Sequence, residues 1–195
     1  GVLLLLSDST NSERPGYTPS EQVIVQTFAR VFEAAEGRVI VATFASNISR
    51  VQQVLDTAQE TGRRVAMVGR SMVNNVKIAR ELGYLRVPDD VLLNIDQIDQ
   101  YPDRQIALVC TGSQGEPTSA LVRMSRNVYR SVRLRAGDTV IVSATPIPGN
   151  EELINHTLDN LFRLGANVYY DEVLDVHVSG HASQEEQKLL LSLTR

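Results

Sequence analysis

One short segment near the end of the chain, Val176–Ser183, contains residues that could do chemistry together. It holds two of the three histidines, His177 and His181, with Ser179 and Gly180 between them. Such a turn can present backbone N–H groups, hydroxyls and a titratable imidazole to an anion, here at the N-terminus of the helix predicted next. The segment therefore indicates a phosphate-binding turn that also supplies a proton donor.

The acid–base candidates are Asp8 and His181. Asp8 follows Gly1–Leu6, an apolar run that predicts a buried first strand. A carboxylate that accepts a hydrogen bond from an imidazole holds the tautomer that a general acid needs. Taken singly, Asp8 suits a turn or a helix cap and His181 suits a hydrogen-bonded loop, so the sequence leaves open whether the two meet.

A metal site is the other interpretation of these histidines. The spacing of His177 and His181 would suit a metal pair on a helix, but Ser179 and Gly180 disfavour a continuous helix through them. Two histidines without a cluster of further ligands are a weak basis for a metal site. His156 falls inside a predicted helix, where we expect it at the surface.

The elements that must position these residues alternate between apolar strands and helices. Alternation of this kind predicts an α/β fold of three layers, a mostly parallel, Rossmann-like sheet flanked by helices on both faces. Thr18, Pro19 and Glu21 form a capping box for the first helix, which is expected to run to about Glu36. Four glycines are expected to cap helix ends in the left-handed conformation: Gly37, Gly62, Gly83 and Gly165.

The remaining predicted elements follow the same alternation. The strands are expected at 38–44, 64–68, 105–110, 139–143 and 167–170, and the stretch 91–98 is either a strand or an excursion. The helices after the first are expected at 48–60, 72–82, 119–129, 150–164 and 184–193.

Polar loops follow most of the predicted strands. In a parallel sheet all strand carboxyl ends share one edge, so these loops should converge on a rim suited to a phosphate. Ser, Thr, Asn and Gly are also the ordinary residues of caps and turns, which is the better explanation for any one loop alone. Arg50, Arg70 and Lys77 are expected near the rim, where they could neutralise phosphates. The loops are Ser7–Asn11, Phe44–Arg50, Gly69–Ser71, Thr111–Glu116 and Ser143–Asn150.

Composition bounds the class of protein. A chain of 195 residues with 43% hydrophobic residues can bury one sizeable core. Its net charge of −4 gives no indication of a basic surface. The arginines between Arg123 and Arg135 are explained as a solvated helix and turn. The single cysteine, Cys110, is expected to be a buried small hydrophobe in a reducing compartment. No apolar run approaches the roughly 18 residues of a membrane span, and no G-x-G-x-x-G or G-x-x-x-x-G-K-[ST] motif occurs.

Five motifs occur along the chain in a fixed order: Leu6–Asn11, Thr43–Ile48, Thr111–Glu116, Ile147–Glu151 and His177–Ala182. Any one of them is weak, but the ordered set resembles the ribonuclease J family over nearly the whole chain. That family carries a β-CASP domain inserted in a zinc-dependent hydrolase of the metallo-β-lactamase fold. The resemblance implies 5′-to-3′ exonuclease and endonuclease activity in mRNA decay and rRNA processing, by cytoplasmic homo-oligomers.

The resemblance also implies roles for individual residues. Asp8 falls on an acidic β-CASP motif, and His181 falls on a second motif whose histidine assists protonation of the leaving oxygen. Both are therefore expected to be catalytic. The residues expected to bind RNA phosphate, including a 5′-terminal monophosphate, are Ser46, Asn47, Ser113, Ser179, Gly180, His181 and Ala182.

The chain departs from the family in its metal ligands. The signature H-x-H-x-D-H is nowhere in the sequence, and the third β-CASP motif, a metal-ligating histidine, would lie beyond Arg195. Without two divalent ions the hydroxide nucleophile has no source. We therefore expect a segment that binds no metal and does not cleave RNA alone, from a parent enzyme that binds zinc. Its expected parts are a flank of the metallo-β-lactamase domain (1–17), the β-CASP domain (18–172) and a return segment (173–195).

Two other functions fit the polar rim. A standalone doubly wound sugar-phosphate-binding protein or isomerase would need no second domain, and would bind phosphosugars without preferring RNA. A non-catalytic interaction domain would have a rim made only of well-capped turns. The ordered motifs favour RNA, together with the missing metallo-β-lactamase domain, as the partners, and no membrane partner is expected.

Overall fold

The computed structural model describes residues 1–194 and contains a six-stranded sheet in which every strand pair is parallel. The order across the sheet is β3-β2-β4-β1-β5-β6, so β4 and β1 lie at its centre. Both central strands are buried along their whole length, which explains their unbroken apolar sequences. The strands are β1 (Val39–Ala42), β2 (Arg64–Val68), β3 (Leu92–Leu93), β4 (Ile106–Cys110), β5 (Thr139–Val142) and β6 (Asn167–Tyr169).

Helices cover both faces of the sheet and form two apolar cores, one with α1 to α3 and the other with α4 and α5. This confirms the predicted three-layer α/β fold. Within residues 1–194 no helix combines the length and the apolar character needed to cross a bilayer. The helices are α1 (Gln22–Ala34), α2 (Ile48–Glu60), α3 (Arg70–Glu81), α4 (Ala120–Ser125), α5 (Glu151–Arg163) and α6 (Gln184–Leu193), with short 3-10 helices at Ile95–Gln100 and Asp103–Gln105.

The predicted left-handed caps are found at three of four helix ends. Gly62, Gly83 and Gly165 have positive φ angles, whereas Gly37 does not. Gly37 is required for another reason, because a Cβ there would lie 2.6 Å from the carbonyl oxygen of Gly137. Close backbone packing, rather than helix capping, therefore explains this glycine.

The capping box predicted at Thr18 is wrong. Helix α1 begins only at Gln22, and the Thr18 hydroxyl instead donates to Glu186 Oε2 at 2.7 Å. The Thr18 amide donates to the same oxygen at 3.2 Å, and a true capping box joins Ser183 and Glu186 at the start of α6. Thr18 does not cap α1, because its two hydrogen bonds to a carboxylate are together stronger than the one bond that its hydroxyl would make with a backbone N–H group at the start of the helix.

The buried first strand predicted over Gly1–Leu6 is also wrong. The segment is irregular, and Leu3, Leu4 and Leu6 are 102%, 72% and 86% exposed. A strand forms only where a neighbouring strand takes its backbone hydrogen bonds and another layer covers its side chains. None of the strands between residues 1 and 194 pairs with this segment, so its apolar sequence is left without a partner there.

Candidate functional site

The loops that follow the strands meet at the carboxyl edge of the sheet, as the parallel arrangement requires. Gln114, after β4, bridges to the loop after β5, since its Nε2 donates to Thr145 O at 2.9 Å. In return its Oε1 accepts from Ile147 N at 2.8 Å. The rim is therefore a hydrogen-bonded surface on which residues distant in sequence are held together.

Arg50 is at this rim, as predicted, but its side chain is buried. Its side chain is 0% exposed and donates to Ser143 Oγ at 2.6 Å, Val176 O at 2.7 Å and Glu21 Oε2 at 2.7 Å. Burial lowers the pKa of the guanidinium, and Glu21 opposes this shift. The prediction that Arg50 neutralises phosphates is wrong, because the side chain is buried and its two terminal nitrogens tie α1, α2, β5 and the return segment together.

Asp8 and His181 form a pair although 173 residues separate them. His181 Nδ1 lies 2.5 Å from Asp8 Oδ2, and the two side chains are 54% and 49% exposed. The other carboxylate oxygen, Oδ1, accepts from Thr10 N at 2.9 Å and from Thr10 Oγ1 at 2.7 Å. These bonds from Thr10, and then the bond from His181, hold the pKa of Asp8 well below its ordinary value. Asp8 is therefore a carboxylate with one oxygen fixed on Thr10 and one on the imidazole.

The turn that carries His181 has an internal hydrogen-bond pattern. Ser179 Oγ accepts from Asn11 Nδ2 at 2.9 Å and from His181 N at 3.2 Å. With both lone pairs engaged, the hydroxyl proton is the group that can still donate. Within the described part of the chain, no acceptor is paired with the N–H of Gly180 or Ala182. The turn can thus offer two backbone N–H groups and a hydroxyl to an anion.

The N-terminus of α6 is not part of that anion site, contrary to expectation. Gln184 N donates to Arg14 O at 2.9 Å and Glu185 N donates to Gly16 O at 3.1 Å. The first turn also carries the carboxylates of Glu185 and Glu186, which would repel an anion. Protein groups already satisfy this helix end, so only the turn before it is open.

The other predicted phosphate-binding residues are more scattered. Ser46 is exposed and lines a cavity of about 700 Å³ between α2 and α3, which shares no lining residue with the cavity beside Ser179. Asn47 caps α2, where its Oδ1 accepts from Arg50 N at 3.0 Å. Ser113 is 2% exposed, so a phosphate reaches it only if the loop 111–115 moves. Binding by these three residues stays a prediction.

The two neighbouring histidines have separate environments. Burial, and then the charge of Arg50, lowers the pKa of His177, and its buried Nδ1 has no hydrogen-bond partner among residues 1–194. No three His, Cys, Asp or Glu side chains converge within that part of the chain closely enough to hold a metal ion. His156 is 66% exposed and Cys110 is buried, as both were expected to be.

Sequence reasoning missed the two residues that hold this site. Thr10 could have been found, because an Asp side chain that accepts from the residue two positions on is a common turn. Asn11 could not have been found locally, because its partners in the turn lie 168 and 170 residues away.

Comparison with known proteins gives a consistent result. The family described as "Ribonuclease J, beta-CASP domain" matches residues 36–161, a range inside the predicted 18–172. Curated proteins named ribonuclease J are similar over the whole chain: that of Synechocystis sp. is 51% identical, that of Thermus thermophilus 52% and that of Mycolicibacterium smegmatis 51%. The chain spans only 30%, 34% and 35% of these relatives.

Proposed function

The chain belongs to the ribonuclease J family as its β-CASP domain, and we propose that it binds RNA phosphate and donates a proton during RNA cleavage. Its similar relatives are named ribonucleases, which does not favour the alternative of a sugar-phosphate-binding protein or isomerase. Because the chain spans about a third of those relatives, the cleaving enzyme we propose is the longer parent protein. RNA is its substrate.

The Asp8–His181 pair is the observation that carries the proposal. Because Nδ1 of His181 bonds the carboxylate, the opposite nitrogen, Nε2, is the one that can reach a substrate. Asp8 fixes the tautomer and orientation of the ring and stabilises the imidazolium, as a carboxylate does for other catalytic histidines. In this role His181 protonates the oxygen that leaves when the phosphodiester bond breaks.

The turn beside His181 supplies the phosphate contacts. The Ser179 hydroxyl and the N–H groups of Gly180 and Ala182 can all donate to phosphate oxygens from one side. We propose that they hold a phosphate of the RNA, including a 5′-terminal monophosphate. Ser46 and Asn47 would then contact the RNA further along the rim. An RNA held there would place a phosphodiester close to His181.

The nucleophile must come from the rest of the parent protein. The residues described here do not fit a metal pair, because no three suitable ligands converge among them. We propose that the parent binds two zinc ions in its metallo-β-lactamase domain, where the metals would supply the attacking hydroxide. The isolated chain would then bind RNA without cleaving it. We further propose that the parent is a cytoplasmic homo-oligomer with both 5′-to-3′ exonuclease and endonuclease activity.

The proposal is tested with His181→Ala in the full-length enzyme. Loss of a general acid is expected to slow cleavage by roughly 10²–10⁴-fold, while zinc content measured by elemental analysis is unchanged. His156→Ala is the matched control, since His156 is an exposed histidine on α5. A His181→Ala enzyme that has lost zinc would show that His181 serves the metal site, and one with an unchanged rate would remove it from catalysis.

A further inference from the structure

Asn11 is the buried residue that joins the two halves of the site. It is 9% exposed, and its Nδ2 donates to Ser179 Oγ at 2.9 Å and to His181 O at 3.2 Å. Both acceptors belong to the turn that carries the imidazole, whereas Asn11 follows Asp8 by three positions. One amide group therefore connects the segment of the carboxylate to the segment of the histidine.

The exposed pair does not hold this geometry by itself. Asp8 and His181 are each about half exposed, so water and salt screen the attraction between their charges. The turn is open to solvent at Gly180, where a Cβ would meet no atom within 4 Å. Water competes less for the hydrogen bonds of a buried amide than for the contact between two exposed side chains, so Asn11 constrains the turn more than the Asp8–His181 pair does.

Thr18 also contacts the turn, but its other bonds assign it a different role. Its hydroxyl lies 3.1 Å from His181 O, 3.1 Å from Ser183 Oγ and 2.7 Å from Glu186 Oε2. Two of these three partners belong to the cap of α6, so Thr18 serves the helix as well. The hydrogen bonds of the Asn11 amide go to the turn alone, among the residues that the structure describes.

We propose that Asn11 is a positioning residue that holds His181 in line with Asp8 and orients the Ser179 hydroxyl toward RNA. The inference rests on the proposed function of His181 as proton donor. The first of the two bonds fixes Ser179 as an acceptor, which leaves its hydroxyl proton for a phosphate oxygen. The second bond fixes the backbone at His181, and thereby the position of the ring.

The test is Asn11→Asp in the full-length enzyme. The change keeps the size of the side chain but removes both donors and places an anion against the His181 carbonyl. A misplacement of about 1 Å can cost on the order of 10²-fold in rate, so we expect cleavage to slow by roughly 10- to 100-fold. Asn94→Asp, the same change at an exposed position beyond β3, is expected to leave the rate unchanged.

The same substitution in a His181→Ala background separates positioning from stability. If Asn11 acts through His181, then Asn11→Asp causes no further loss of rate once the imidazole is gone. A folding defect would instead lower the rate by the same factor in both backgrounds, and thermal denaturation of each variant measures it independently. Equal factors in the two backgrounds would overturn the positioning role.

The result also distinguishes this inference from the proposed function. If His181→Ala slows cleavage but Asn11→Asp does not, the role of His181 as proton donor is supported and the positioning role of Asn11 is refuted. If His181→Ala leaves the rate unchanged, the proposed function fails, and the inference fails with it.

Discussion

Replacing Arg50 with methionine is expected to lower the free energy of unfolding of this chain by about 2 kcal/mol. The substitution keeps much of the side-chain volume but removes the bonds to Ser143 Oγ and Val176 O. Hydrogen bonds from charged groups contribute roughly 1.5–3 kcal/mol each. Loss of the buried charge also ends its own desolvation cost, which offsets part of that contribution. Glu21 adds at most about 1 kcal/mol, because its side chain is 46% exposed.

Urea denaturation followed by circular dichroism measures this loss. A lower midpoint with an unchanged slope is expected, since the substitution alters stability and not the surface exposed on unfolding. In thermal denaturation about 2 kcal/mol corresponds to a fall of roughly 4–8 °C in Tm for a chain of this size. Arg70→Met is the matched control, because Arg70 is exposed at the start of α3 and should change stability by less than about 0.5 kcal/mol.

Two results would refute this reasoning. If Arg50→Met changed stability as little as Arg70→Met, the two buried hydrogen bonds to Ser143 and Val176 would not stabilise the fold. If stability were unchanged while affinity for RNA fell, Arg50 would bind phosphate as the sequence alone predicted, and its buried position would not describe the working protein.

Two further predictions concern the rim and the start of α6. Ser46→Ala in the full-length enzyme should weaken the preference for 5′-monophosphorylated RNA over internal cleavage, measured with matched 5′-hydroxyl and 5′-phosphate substrates; an unchanged preference would remove Ser46 from the phosphate site. Bonds from Thr18 and Ser183 hold the pKa of Glu186 below its ordinary value of 4.5. Its contribution to stability is therefore present above that pH and lost as the pH falls through the lowered pKa. As the pH falls, the free energy of unfolding measured by urea denaturation should decrease less for Glu186→Gln than for the unsubstituted chain. Equal decreases in the two chains would contradict this.

Much of the fold could be predicted from the sequence because its causes are local. The bounds of α2 and β2, Ile48–Glu60 and Arg64–Val68, agree with the pattern of apolar residues. Glycines that end helices, and apolar runs covered on both faces, reflect backbone conformations and burial that each segment needs by itself. The alternation of these elements then determines a parallel sheet, and with it the edge where the loops meet.

Local patterns failed where two segments compete for the same group. Thr18 has every feature of an N-cap, but the carboxylate of Glu186, 168 residues away, takes its hydroxyl and its amide. Arg50 ends a polar loop and was expected to neutralise phosphates, yet its side chain donates to Ser143, Val176 and Glu21 instead. Propensity describes what a residue can do, and only the folded chain decides which partner is close enough.

The sequence by itself determined the class of fold, the polar rim and the residue types available for acid–base chemistry and phosphate binding. Only the tertiary structure decided that Asp8 meets His181, that Thr10 holds the carboxylate and that Asn11 holds the turn. It also showed that carbonyl oxygens of the chain take the first N–H groups of α6, whereas the N–H groups of Gly180 and Ala182 have no acceptor among residues 1–194. The physical reason is that hydrogen bonds act over about 3 Å in space, whatever the number of residues between donor and acceptor.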